Sequence, residues 1–87
     1  MRIKIRVIGK GLHPSEAVVE VQTSDGTERL VVDKGSIQGN SVNVGWPVAQ
    51  KKGQYLVELP RETMNGAWRV WIKQSQVAPE REHIAAE

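Results

Sequence analysis

Apolar and polar residues alternate with a period of two along most of this chain, and turn-forming residues interrupt the alternation at short intervals. In the first segment Ile3, Ile5 and Val7 fall on one face of a predicted strand and Arg2, Lys4 and Arg6 on the other. Gly9, Gly11 and Pro14 end it. A second strand, residues 16–23, carries Val19 and Val21 inward, and Ser24-Asp25-Gly26 predicts a hairpin, because these residues tolerate the positive φ of a primed turn. The third strand, residues 27–33, buries Leu30 and Val32. After a loop with Gly35, Gly39 and Asn40, the fourth, residues 41–48, aligns Val42, Val44, Trp46 and Val48. Pro47 cannot donate to a ladder and puts that end at an edge or bulge. Lys51-Lys52-Gly53 turns into a fifth strand, residues 54–60, with Tyr55, Val57 and Leu59 on one side. Asn65-Gly66 leads to a sixth, residues 67–73, with Trp68, Val70 and Ile72 inward and Arg69, Trp71 and Lys73 outward.

Six short strands joined mostly by tight turns predict an all-β antiparallel meander, and strong twist favours its closure into a small barrel. The stretch Gly66-Ala67-Trp68-Arg69-Val70-Trp71-Ile72-Lys73-Gln74-Ser75-Gln76-Val77 resembles the end of SH3-like small barrels: a hairpin, an aromatic-rich strand, a one-turn break and a last short strand. The resemblance covers the architecture of residues 1–78. It implies a closed barrel with the first and sixth strands side by side. The aromatic cluster and acidic loop of signalling SH3 domains are not matched, so their preference for proline-rich peptides is not implied. Residues 79–87 are compatible with a helix but carry almost no apolar face, and are expected to be a flexible or briefly helical polar tail. With Trp68 in the predicted core, Trp68→Ala is expected to cost about 3–5 kcal/mol.

A chain of 87 residues supports one hydrophobic core. Without cysteine it has no disulfide, thiolate nucleophile or cysteine zinc site, so the fold rests on packing. The start of the chain alternates basic and apolar residues, unlike a secretory leader, and no apolar run approaches the ~20 residues that cross a bilayer. A cytoplasmic protein without membrane contact is expected.

Catalytic and metal chemistry find little support in the sequence. His13 and His83 lie in a loop and in the tail, in no metal-ligand spacing. The serines sit in turns without a nearby histidine–acid pair, and Glu58 and Glu62 read as a strand residue and a loop residue. Gly9-Lys10-Gly11 lacks the Gly-Lys-Ser/Thr and following helix of a phosphate loop, so these glycines are expected only to turn the chain. No cofactor, metal or catalytic residue is expected. The exception the resemblance leaves open is an active-site pore on the symmetry axis of an oligomer.

Charge is more informative. The net +2 divides into a basic body, where residues 1–78 carry 11 Lys and Arg against 7 Asp and Glu, and a tail where Arg81 meets Glu80, Glu82 and Glu87. If the first and sixth strands are neighbours, Arg2, Lys4 and Arg6 lie beside Arg69, Trp71 and Lys73 on one outward face. Cations around an indole suit a nucleic-acid backbone with a stacked base. The expected function is therefore non-catalytic nucleic-acid binding through those six residues. The alternative is a protein-interaction module, a homo-oligomer or adaptor, that buries Trp71 or pairs an edge strand.

Overall fold

In the computed structural model the described residues are 1–78, which form ten short strands in three antiparallel sheets, with no α-helix among them. They are β1 (Arg2–Lys4), β2 (Arg6–Lys10), β3 (Glu16–Thr23), β4 (Gly26–Asp33), β5 (Ile37–Gln38), β6 (Ser41–Asn43), β7 (Ala49–Lys51), β8 (Gln54–Glu58), β9 (Arg69–Lys73) and β10 (Val77–Ala78). Single 3-10 turns, Lys34–Ser36 and Gln74–Gln76, precede β5 and β10. An N-terminal sheet runs β2–β3–β4, a C-terminal sheet β7–β8–β9, and a shared sheet β10–β1–β6–β5. The expected tail, residues 79–87, lies outside the described residues.

This arrangement is internally duplicated. The order β1 to β4, 3-10 turn, β5 recurs as β6 to β9, 3-10 turn, β10, and the shared sheet reads the same when the halves are exchanged. At its centre Ile3 faces Val42. Glu20 faces Arg29 in one hairpin and Glu58 faces Arg69 in the other, as ion pairs of 3.2 and 2.8 Å. Isolated backbone bonds repeat too. The Ile5 N–H donates to Asn40 O and the Val44 N–H to Met1 O, both at 2.8 Å; the Lys34 N–H donates to Ser15 O at 2.8 Å and the Gln74 N–H to Gly53 O at 2.9 Å.

The core follows the same pairing. Val19 and Val57, Val21 and Leu59, Leu30 and Val70, Val32 and Ile72 are equivalent positions, and all are buried with Ile3, Ile5 and Val42 in one cluster. Both neighbours of β1, namely β6 and β10, come from the second half, so neither half completes the shared sheet alone. Gly39, at φ +60°, lets Gly39-Asn40 turn β5 directly into β6.

Several expectations are corrected. Among the described residues no continuous ladder closes the sheets into a barrel; single backbone bonds join them, such as Ser24 N–H to Trp71 O and Met64 N–H to Arg29 O, each 2.8 Å. The predicted first strand breaks at Ile5, whose N–H leaves the ladder for Asn40. Beyond it Val7 is exposed, because a bulge between Val7 and Gly9 turns β2 into an irregular edge. The predicted fourth strand breaks where Gly45 takes φ +73° and Pro47 withholds a donor, which leaves Trp46 84% exposed instead of in the core. Trp68 precedes β9 and is 49% exposed. Arg2, expected on the wet face, is buried.

Candidate functional site

Cross-strand partners share a face, so the registers of the C-terminal sheet define its outward surface in rows. Val70 and Ile72 are buried, which points Arg69, Trp71 and Lys73 of β9 away from the core. Opposite them on β8 stand Glu58, Leu56 and Gln54; β7 adds Ala49 opposite Leu56 and Lys51 opposite Gln54. The face thus has an ion-paired end, Glu58 and Arg69, a middle row of Ala49, Leu56 and Trp71, and a polar end of Lys51, Gln54 and Lys73.

The two ends differ electrostatically. Arg69 donates from Nε to Glu58 Oε2 at 2.9 Å, with Nη2 2.8 Å from the same oxygen, and its guanidinium carbon lies 5.2 Å from the Trp68 ring centroid. Lys51 places Nζ 4.4 Å from the centroid of the half-buried Trp71 ring, a cation–π contact. Among the described residues Lys51, Lys52 and Lys73 make no ion pair, whereas Arg6, Arg29, Arg61 and Arg69 all do. Between the lysines, Gln54 Oε1 accepts from Ser24 Oγ at 2.7 Å, and its amide nitrogen has no partner among the described residues. Two lysines, Lys51 and Lys73, and a free amide therefore share the face of one indole, with Lys52 in the adjoining turn.

Of the six residues expected to form one face, only Arg69, Trp71 and Lys73 are brought together. The first and sixth predicted strands are not neighbours: β1 pairs with β6 and β10, β2 with β3, and β9 with β8. Lys4 and Arg6 are exposed, but rim a separate depression of about 150 Å³ with Glu20 and Gln76. Arg2 points into the joint between the halves. It donates from Nε to Ser41 Oγ at 2.8 Å and from Nη2 to Ser41 O at 2.8 Å and Ser36 O at 3.4 Å.

Lys51, Lys52 and Gln54 were missed because Lys51-Lys52-Gly53 reads as a turn. Part of the signal was present, since a two-residue hairpin turn sets Lys51 opposite Gln54; that both share a face with Lys73 comes from the β8–β9 register. Among the described residues no group of three His, Asp or Glu could hold a metal ion, and no helix is long and apolar enough to cross a membrane. The fold and this face define a small all-β domain with a cationic, aromatic surface. Comparison with known protein families, curated proteins and solved structures finds no match.

Proposed function

We propose that this protein is a non-catalytic module that binds single-stranded nucleic acid on the outward face of β7–β8–β9, with Lys51, Lys52 and Lys73 contacting phosphates and Trp71 stacking on a base. The observation that carries this reading is the lysine row without carboxylate partners beside Trp71. Lys51 and Lys73 stand two strand spacings apart, about 10 Å, within reach of adjacent phosphates for such long side chains. Lys51 covers the indole in the free protein, and a base stacking there displaces a flexible chain whose charge passes to a phosphate.

The scaffold belongs to the same reading. The 3-10 turn Gln74–Gln76 and the short last strand Val77–Ala78 fit the ending that makes residues 1–78 similar to SH3-like small barrels. A protein-binding alternative draws support from Trp46 and Val48, exposed together ahead of β7. Two of the sheet edges argue against strand pairing: β2 is bulged, and β7 has three residues and ends in Lys51.

Titrating a fluorescein-labelled oligothymidylate against the protein tests the proposal. Three phosphate contacts on a single strand predict a slope of log K against log salt near −2, or roughly twentyfold weaker binding between 50 and 200 mM salt. Lys51→Ala/Lys73→Ala flattens that slope by about 1.4. Absence of binding at low salt refutes the reading.

A further inference from the structure

The duplication provides an internal comparison for this face. Register equates Gln54 with Glu16, Lys73 with Asp33 and Trp71 with Val31. The buried positions beneath keep their apolar character, Val32 matching Ile72 and Leu30 matching Val70. The outward charge is reversed: the row that is cationic in the C-terminal sheet is acidic in the N-terminal sheet. The acidic row has an occupant from its own chain, for Arg61 Nη1 lies 3.3 Å from Glu16 Oε2 and Arg61 Nη2 3.7 Å from Asp33 Oδ1. One planar cation thus bridges two acceptors on adjacent strands. No acidic side chain among the described residues takes the corresponding place over Gln54 and Lys73.

We infer that the Gln54–Lys73 pair, with Lys51, is a subsite for a single phosphate group, held across β8 and β9 as Arg61 is held across the equivalent pair in the other half. This rests on the nucleic-acid reading for its ligand and sharpens it to one anchoring phosphate. Two of its oxygens would accept from the Gln54 amide nitrogen and Lys73 Nζ, with Lys51 Nζ adding charge from β7; the bond from Ser24 Oγ fixes the Gln54 amide with its nitrogen free to donate. Positions of like geometry have become a self-occupied cation cradle in one half and an open anion cradle in the other.

The test uses the full chain, with inorganic phosphate and the labelled oligothymidylate as probes. Amide and side-chain NMR shifts on adding phosphate are expected to cluster at Lys51, Gln54 and Lys73. Gln54→Glu/Lys73→Asp installs the residues that stand at the equivalent positions, and the dispersion of its amide spectrum checks that it folds; the phosphate shifts are expected to vanish and oligonucleotide affinity to fall at least tenfold. Lys73→Gln, which removes charge without adding any, is expected to show the same loss in smaller measure. Should the oligonucleotide bind and both variants keep affinity within twofold, the subsite is overturned while the nucleic-acid reading stands. Should phosphate shift this row while the oligonucleotide does not bind, the subsite is upheld and the nucleic-acid reading falls.

Discussion

Replacing Arg2 separates a phosphate-binding role from a structural one. The alternation of the first segment puts Arg2 outward, yet its side chain is buried with two bonds of 2.8 Å to Ser41 and a longer one to Ser36. Each of these partners lies outside β1, so the guanidinium ties β1 to the entrance of β6. Hydrogen bonds to a charged donor contribute roughly 1.5–3 kcal/mol each, offset in part by the desolvation of the guanidinium. Arg2→Ala is therefore expected to cost about 2–4 kcal/mol, a large share of the roughly 4–12 kcal/mol available to a domain of this size. In urea, with a slope of about 1 kcal/mol/M, the unfolding midpoint should fall by about 2–4 M. Oligonucleotide affinity, measured well below that midpoint and corrected for the folded fraction, should not change. A variant with an unmoved midpoint and weakened binding would show that Arg2 faces solvent and contacts phosphate.

Two further substitutions probe packing. Trp68→Ala, at a position 49% exposed, should cost under about 2 kcal/mol, whereas Ile72→Ala, fully buried, should cost about 2–5 kcal/mol; thermal melts that reverse this ranking would place Trp68 in the core. A Cβ at Gly11 would sit 2.6 Å from Glu16 Cβ, where the Gly11 N–H donates to Glu16 O, so Gly11→Ala should lose about 1–3 kcal/mol. Gly35→Ala, with open space around the new atom, serves as its control in the same denaturant titration and should stay within about 0.5 kcal/mol.

The strands legible from alternation are those whose faces differ in environment along their whole length. β3 runs over Glu16–Thr23 as the pattern predicts, with Val19 and Val21 buried, and β4 and β8 begin and end within a few residues of expectation. The break before the last strand, a 3-10 turn at Gln74–Gln76, was implied by the resemblance of that segment and not by alternation. Alternation fails where a strand changes sheet. Arg2 and Ile3 are consecutive and both buried, because β1 lies between two strands of the other half and Arg2 finds acceptors there. Trp46 looks like core because it falls in phase with Val42 and Val44, but Gly45 and Pro47 end the strand around it.

The duplication itself leaves only a faint trace, with Val19-Glu20 answered by Val57-Glu58, Arg29 by Arg69 and Gly26 by Gly66; the buried equivalents stay apolar, while outward ones such as Asp33 and Lys73 differ in charge. The candidate face was half legible. Residues on β9 follow from one strand's periodicity, while Lys51 and Gln54 join them only through pairing, which a single strand's pattern does not encode.

The shared sheet also bears on how the chain is routed. Gln38 faces Ser41 across the turn that links the halves, and Ala78 faces Arg2 across the sheet in the corresponding place, without a connecting turn. Among the described residues the path is two arcs that meet in one sheet and are joined by a tight turn on one side only. A chain permuted to begin at Asn40, with residues 79–87 kept in the link from Ala78 to Met1, has every ladder described above available to it.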